Sequence, residues 1–339
     1  MERTNRRRSG IIFTADAGPQ LDREDPIATG DTILILDRDA EVIAGLLAGR
    51  VDRPLLPVTG APDPEAVADV EICLGAPDRI ARHASQLPAL RWVQSTWAGI
   101  RPLLPLMRER PELVVTGVKG IFGPLMAEYV FGWLIALERE LPAQLAAQAQ
   151  RRWHVPAVRS LAGRRLLLLG LGSIGRHLAR IAGALGLEVV GVSRSGRPVA
   201  GCDRVFPVQR LDEAATGADY LVSVLPGTAH TENLLDAAVF AQLAPGAIVV
   251  NGGRASVLVD ADLIAAVRSG QLRGAVLDVF REEPLPDAHP FWETPGIRVT
   301  AHTAAPTEPV AIANLFLDNL VLWTRGAPIP GRIDPALEY

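Results

Sequence analysis

The stretch Arg164-Arg165-Leu166-Leu167-Leu168-Leu169-Gly170-Leu171-Gly172-Ser173-Ile174-Gly175 decides the reading of the chain. Four consecutive leucines form an apolar strand that runs into a G-x-G-x-x-G turn, and the residues from Arg176 to Leu185 continue as a helix. In such a turn the first glycine permits a tight reversal and the second lets backbone approach a pyrophosphate. The third lets the helix pack closely on the sheet, with its N-terminus facing the phosphates. By itself the pattern also fits a plain glycine-rich strand-to-helix loop. The next segment adds context, because Glu188-Val189-Val190-Gly191-Val192 is a second short apolar strand at the distance a βαβ unit requires. The turn is therefore read as a dinucleotide site formed by Gly170, Gly172, Ser173, Ile174 and Gly175.

The residues that follow the second strand bear on which dinucleotide. A site for the cofactor without a 2'-phosphate places an acidic residue there to accept hydrogen bonds from the ribose; this chain has Ser193-Arg194-Ser195. An arginine fork flanked by hydroxyls suits a 2'-phosphate, so NADP(H) is expected to be preferred, with NAD(H) still possible. The alternative for Arg194 is a solvated loop residue.

Working outward, 339 residues with 48% hydrophobic content exceed the usual size of a single core and predict two domains. A net charge of -4 carries no global basic footprint for nucleic acid, and the basic cluster from Arg3 to Arg8 reads as part of a tail. Cys73 and Cys202 lie far apart with no ligand-like spacing, so neither a disulfide framework nor a metal site is expected. No apolar run reaches the roughly 18 to 20 residues of a membrane span, and no signal-peptide core is evident. A soluble, cytoplasmic protein is the expectation.

Residues 1–30 are polar and irregular, and read as a flexible tail. Strands are expected at 32–37, 70–75, 90–95 and 114–117, making a first α/β unit. Ser95-Thr96-Trp97-Ala98-Gly99 ends the third of these with small residues whose backbone N–H groups can hold a carboxylate, although a plain loop fits as well. Trp97 either restricts what sits beside that turn or packs in the core. Gly123-Pro124 then opens a helical run to Leu141, where the chain is expected to cross between domains. Further strands are expected at 220–225, 247–251, 274–279 and 297–300, apolar at nearly every position as befits strands covered on both faces. Helices are expected at 231–242, 260–269 and 310–324, the last returning to the first unit.

In a doubly wound sheet, ligands bind outside the carboxyl ends of the strands. Arg254, Glu283 and His302 each follow such an end. Singly, each also fits an ordinary loop or surface role. Together an arginine can bind a carboxylate and polarise a neighbouring carbonyl, a histidine can deliver a proton, and a carboxylate can orient the imidazole and favour its charged form. The chemistry suggested is reduction of a 2-oxo acid.

The set Gly170 to Gly175, Leu225-Pro226 with Thr231, Asn251-Gly252-Gly253-Arg254, Leu277-Asp278-Val279-Phe280-Arg281-Glu282-Glu283-Pro284, and His289-Pro290-Phe291-Trp292 with His302 resembles the D-isomer-specific 2-hydroxyacid dehydrogenases from about Thr32 onward. The resemblance implies an α/β fold of two doubly wound parallel sheets. A Rossmann domain over 124–305 would be inserted in a discontinuous flavodoxin-like substrate domain of residues 31–123 and 306–339. It further implies Arg254, Glu283 and His302 as the catalytic triad and a substrate turn at Trp97, Ala98 and Gly99. The cofactor would be lined by Leu225, Pro226, Thr231, Asn251, Gly252 and Gly253, with Asp278 near the nicotinamide. A homodimer through Met126 to Trp153 is implied as well.

Within the family, Ser193-Arg194-Ser195 and the ending His302-Thr303-Ala304-Ala305-Pro306-Thr307 look most like NADPH-dependent glyoxylate/hydroxypyruvate reductases. Ala255 and Ala301 depart from the glycine and proline usual at those places. The alternatives are another substrate on the same scaffold (a bulkier 2-oxo acid, formate or phosphite) and a non-catalytic nucleotide-sensing corepressor. Glu283 argues against formate oxidation, where glutamine is usual.

Overall fold

The computed structural model describes residues 32–336, so the expectation of a flexible tail over residues 1–30 lies outside it. Five short strands, β1 (Ile33–Leu36), β2 (Leu55–Val58), β3 (Ile72–Gly75), β4 (Trp92–Ser95) and β5 (Val114–Thr116), form one parallel sheet in the order β2-β1-β3-β4-β5. Seven more form a second: β6 (Arg165–Leu169), β7 (Glu188–Ser193), β8 (Arg204–Pro207), β9 (Tyr220–Ser223), β10 (Ala247–Asn251), β11 (Leu272–Leu277) and β12 (Ile297–Val299). Their order is β12-β11-β10-β9-β6-β7-β8, again all parallel. Each sheet reverses its winding at its first strand, which opens a crevice at the carboxyl ends of β6 and β9 in the larger sheet.

Alternation along each strand divides the apolar residues between two layers. Leu167, Leu169, Val190, Val192, Leu221 and Val249 face one side of the larger sheet, while Leu166, Leu168, Val189, Val222, Ile248 and Val250 face the other. The smaller sheet does the same, with Leu34 and Leu36 on one face and Ile33 and Ile35 on the other. Continuous apolar runs are thus the consequence of covering both faces.

The helix Pro309–Thr324 returns to the smaller sheet. Trp92 of β4 stacks on Phe316 and Trp323 at centroid distances of 5.4 and 5.3 Å. Between them, Asn319 Nδ2 donates to the buried Gln94 Oε1 at 2.7 Å. A buried carboxamide requires such a partner, so the last long helix is keyed to β4, the strand that leads to the Trp97 turn.

Two helices differ from the sequence expectation. The run from Leu125 to Leu141 ends as a helix over Gly123–Glu138, and a second helix starts at Leu141 after Glu140 adopts φ 52°. Pro142 lies in that second helix's first turn, where its missing N–H costs no hydrogen bond. The helix expected from Thr231 covers only Ala237–Gln242: Asp236 Oδ1 caps it by accepting from Ala238 and Val239 N–H at 3.0 and 3.1 Å.

Candidate active site at the carboxyl ends of the strands

Gly170 leaves β6 with φ 96°, a conformation that glycine adopts without strain. A side chain on Gly175 would collide with the carbonyl of Gly170, so the third glycine is required by the close helix–sheet approach. Above Gly172, by contrast, no atom lies within 4 Å of where a β-carbon would be. The helix Ser173–Ala184 that starts there has no side-chain cap. Its first N–H groups therefore present an unsatisfied positive end into open space, a suitable seat for a pyrophosphate. The residues present fit a dinucleotide.

Ser193 ends β7, next to the glycine turn in the sheet, and Arg194 and Ser195 follow it. Ser193 Oγ accepts from Gly196 N–H at 3.1 Å, shaping the turn, and Arg194 is exposed. After β9, Leu225 and Pro226 are half-buried. Thr231 ties this loop together: its hydroxyl donates to Pro226 O at 2.6 Å and accepts from Thr228 N–H at 2.9 Å.

The loop after β10 is braced by Asn251, which is buried. Its Nδ2 donates to Arg254 O at 3.1 Å and its Oδ1 accepts from Gly253 N–H at 3.2 Å. A β-carbon on Gly253 would lie 2.6 Å from Leu225 O, so the β9 and β10 loops touch through that glycine. Gly252 borders the cleft beside Met126. Arg254 is thereby aimed across the cleft, where its guanidinium meets Gly99 of the β4 turn. Burial holds its pKa below the ordinary value, opposed by the nearby Glu283 carboxylate and reinforced by the Arg101 charge.

Glu283 and His302 form a pair. His302 Nδ1 lies 2.8 Å from Glu283 Oε2, and Glu283 Oε1 accepts from Phe280 N–H at 2.9 Å. Fixing Nδ1 in this way leaves Nε2 for a ligand. His302 has φ 54°, in the left-handed region that non-glycine residues seldom occupy. What holds it there is Asp278: its carbonyl accepts from His302 N–H at 2.9 Å, and its buried carboxylate accepts from Thr303 and Ala304 N–H, each at 2.9 Å. Asp278 also borders the cleft.

Arg254, Glu283, His302, Trp97, Ala98, Gly99, Gly252, Ile174 and Asp278 line one cleft of about 630 Å³ between the two sheets' carboxyl ends. Trp97 is 42% exposed there, which removes core packing as its role. Thr307, just beyond His302, donates to Thr96 O at 3.2 Å and links the two walls. Two groups in this region gave no signal in the sequence: Thr300, whose hydroxyl donates to Asp278 Oδ1 at 2.5 Å, and Tyr129, whose hydroxyl lies 2.7 Å from that of Thr300.

The family model described as "D-isomer specific 2-hydroxyacid dehydrogenase, NAD binding domain" matches residues 131–304, about half the chain. The chain belongs to the D-isomer-specific 2-hydroxyacid dehydrogenases. Among relatives of this dehydrogenase, the glyoxylate/hydroxypyruvate reductase A of Serratia proteamaculans is 31% identical over 256 residues, covering 74% of this chain and 82% of that one. A D-isomer-specific 2-hydroxyacid dehydrogenase family protein from Aeromonas salmonicida has a similar crystal structure, with TM-score 0.84 and 40% identity over 90% of this chain and 99% of that one. The NADPH-dependent glyoxylate/hydroxypyruvate reductase of Sinorhizobium meliloti, solved with NADP and sulfate, superposes with TM-score 0.80 at 27% identity, covering 91% of this chain and all of that one. The dehydrogenase is thus an enzyme with a nicotinamide-nucleotide domain. Among its described residues no helix is long and apolar enough to cross a membrane.

Proposed function

We propose that this dehydrogenase reduces a small 2-oxo acid of the glyoxylate/hydroxypyruvate type to the D-2-hydroxy acid with NADPH. The observation that carries this reading is the convergence of Arg254, the Glu283–His302 pair and the Gly99 turn in one cleft beside an uncapped helix N-terminus. The reductases from Serratia and Sinorhizobium, similar over most of their length, support the substrate class.

Arg254 binds the substrate carboxylate together with backbone N–H groups at Ala98 and Gly99, and its charge polarises the adjacent carbonyl. His302, oriented by Glu283, delivers a proton from Nε2 to the carbonyl oxygen as the carbon is reduced. When bound, NADPH supplies the hydride for that carbon. Trp97, at the cleft mouth, limits the substituent that fits beside the carbonyl.

For the cofactor, Gly170, Gly172, Ser173, Ile174 and Gly175 cradle the pyrophosphate. Ser193, Arg194 and Ser195 take the 2'-phosphate. Leu225, Pro226, Gly252 and Gly253 border the nicotinamide half, while Thr231, Asn251 and Asp278 hold the loops that do so. This assignment favours NADP(H) and leaves NAD(H) usable. The family division into a substrate domain of residues 31–123 and 306–339 and a cofactor domain of residues 124–305 accords with the packing of Pro309–Thr324 on the smaller sheet.

We propose a homodimer through the arm formed by Met126 to Trp153. On and just after that arm, Leu145 is 67% exposed, Trp153 95% and Val155 76%, a concentration of exposed apolar groups that a second copy would cover. The cytoplasm is the proposed compartment, in keeping with the two free cysteines. Initial rates of NADPH and NADH oxidation over a panel of 2-oxo acids test the function. Turnover of glyoxylate or hydroxypyruvate with NADPH is expected, and cofactor oxidation with none of the acids would overturn it.

A further inference from the structure

The loop that carries His302 is held by a chain of groups that reaches outside the cleft. Asp278 is buried and a carboxylate only accepts hydrogen bonds, so the proton of the Thr300 hydroxyl lies in the 2.5 Å contact with Asp278 Oδ1. Thr300 has one proton. The 2.7 Å contact with Tyr129 must therefore be donated by the phenol. The order is fixed as Tyr129 O–H to Thr300 Oγ1, then Thr300 O–H to Asp278 Oδ1. Asp278 in turn receives the N–H groups of Thr303 and Ala304 on its side chain and that of His302 on its carbonyl.

Tyr129 has the environment of a committed donor. Burial, and secondarily the Asp278 charge, push its pKa above the ordinary phenol value against the lowering effect of the Thr300 contact, so the proton stays on the phenol. It sits on the helix Gly123–Glu138, whose Met126, one turn earlier, borders the cleft. The group it steers is unusual in its own right, since His302 occupies a left-handed backbone conformation that the local sequence does not favour. Such a conformation persists only when surrounding contacts over-determine it, and hydrogen-bonded chains in a water-poor interior strengthen one another.

We infer that Tyr129 and Thr300 are positioning residues for the reaction: their hydroxyl relay polarises and fixes Asp278, and through it sets the backbone from which His302 delivers its proton. The inference rests on the proposed role of His302 as acid. It assigns Tyr129, which does not line the cleft, an effect on turnover and none on the binding of either substrate.

The test uses the full chain with saturating NADPH and glyoxylate. Tyr129→Phe and Thr300→Val are each expected to lower kcat on the order of fivefold, the scale of one net hydrogen bond, with KM for glyoxylate within about twofold. The double variant is expected to lose no more than the larger single loss, because the two hydroxyls act in series. Thr300→Ser, which keeps the hydroxyl, is expected to retain wild-type kcat. In a His302→Gln background Tyr129→Phe is expected to change kcat by less than about twofold, since the relay acts only through the imidazole. A general structural defect would reduce the residual rate there too, and that result would overturn the inference. So would additive losses in the double variant, or full kcat in both single variants. If His302→Gln itself turned over at the wild-type rate, the role of His302 would fail first, which separates the two claims.

Discussion

Arg254 and Gly99 meet across the cleft: the guanidinium Cζ stands 3.4 Å from the point where a Gly99 β-carbon would lie, and Nη2 is closer still. Arg254 comes from the β10 loop of the larger sheet and Gly99 from the β4 turn of the smaller one, so this contact joins the two carboxyl-end surfaces at the proposed carboxylate site.

Gly99→Ala should therefore act as a specific lesion of substrate binding. The methyl group must displace the Arg254 guanidinium, and the loss of its bidentate contact is expected to lower kcat/KM for glyoxylate on the order of 10²-fold. Fluorescence titration should give an unchanged NADPH affinity. An unaltered kcat/KM would place the carboxylate elsewhere.

The glycine turn makes a different prediction. Gly175→Ala forces the helix Ser173–Ala184 away from the Gly170 carbonyl, an overpacking defect of about 1–3 kcal/mol. Thermal denaturation should register it, and NADPH titration should show loss of affinity as the helix N-terminus moves. Gly172→Ala, which meets no protein atom, should keep the stability and lose only nucleotide affinity.

Arg194 should separate the two nicotinamide cofactors. Arg194→Gln removes the proposed 2'-phosphate partner, and the dissociation constant for NADPH is expected to rise by about 10- to 100-fold, while that for NADH moves by less than about threefold. Equal effects on the two would remove Arg194 from phosphate recognition.

The exposed arm should determine assembly. Sedimentation at micromolar concentration is expected to give twice the chain mass, and Trp153→Asp combined with Leu145→Asp to shift it toward the monomer by placing charge in an apolar contact. A monomeric wild-type protein would contradict the proposed dimer.

What the sequence made legible follows from burial. Strands covered on both faces, such as Leu166–Leu169 and Ile248–Val250, appear as unbroken apolar runs, and residues just after them fall at the crevice by the topology of a parallel sheet. Arg254, Glu283 and His302 could be picked out on that basis. The strands that escaped, β2 and β8, are both edge strands, only partly buried, and each contains a proline, Pro57 or Pro207, which an edge tolerates and a central strand does not. Thr231 and Asn251 matched motif positions, but the sequence did not reveal that their polar groups hold loops together. Tyr129 gave no sign at all: it lies in an apolar helical run, and its partner Thr300 is 171 residues away. A contact of that separation exists only after the helix Gly123–Glu138 has packed on the larger sheet.

The central claim is that His302, held by Glu283, delivers the proton when a 2-oxo acid is reduced in this cleft. The most direct measurement is the single-turnover rate of NADPH oxidation by glyoxylate, at saturation, for the wild type and for His302→Gln. The expected result is a fall of about 10²- to 10⁴-fold with NADPH affinity retained. A His302→Gln enzyme that oxidises NADPH at the wild-type rate would contradict the account.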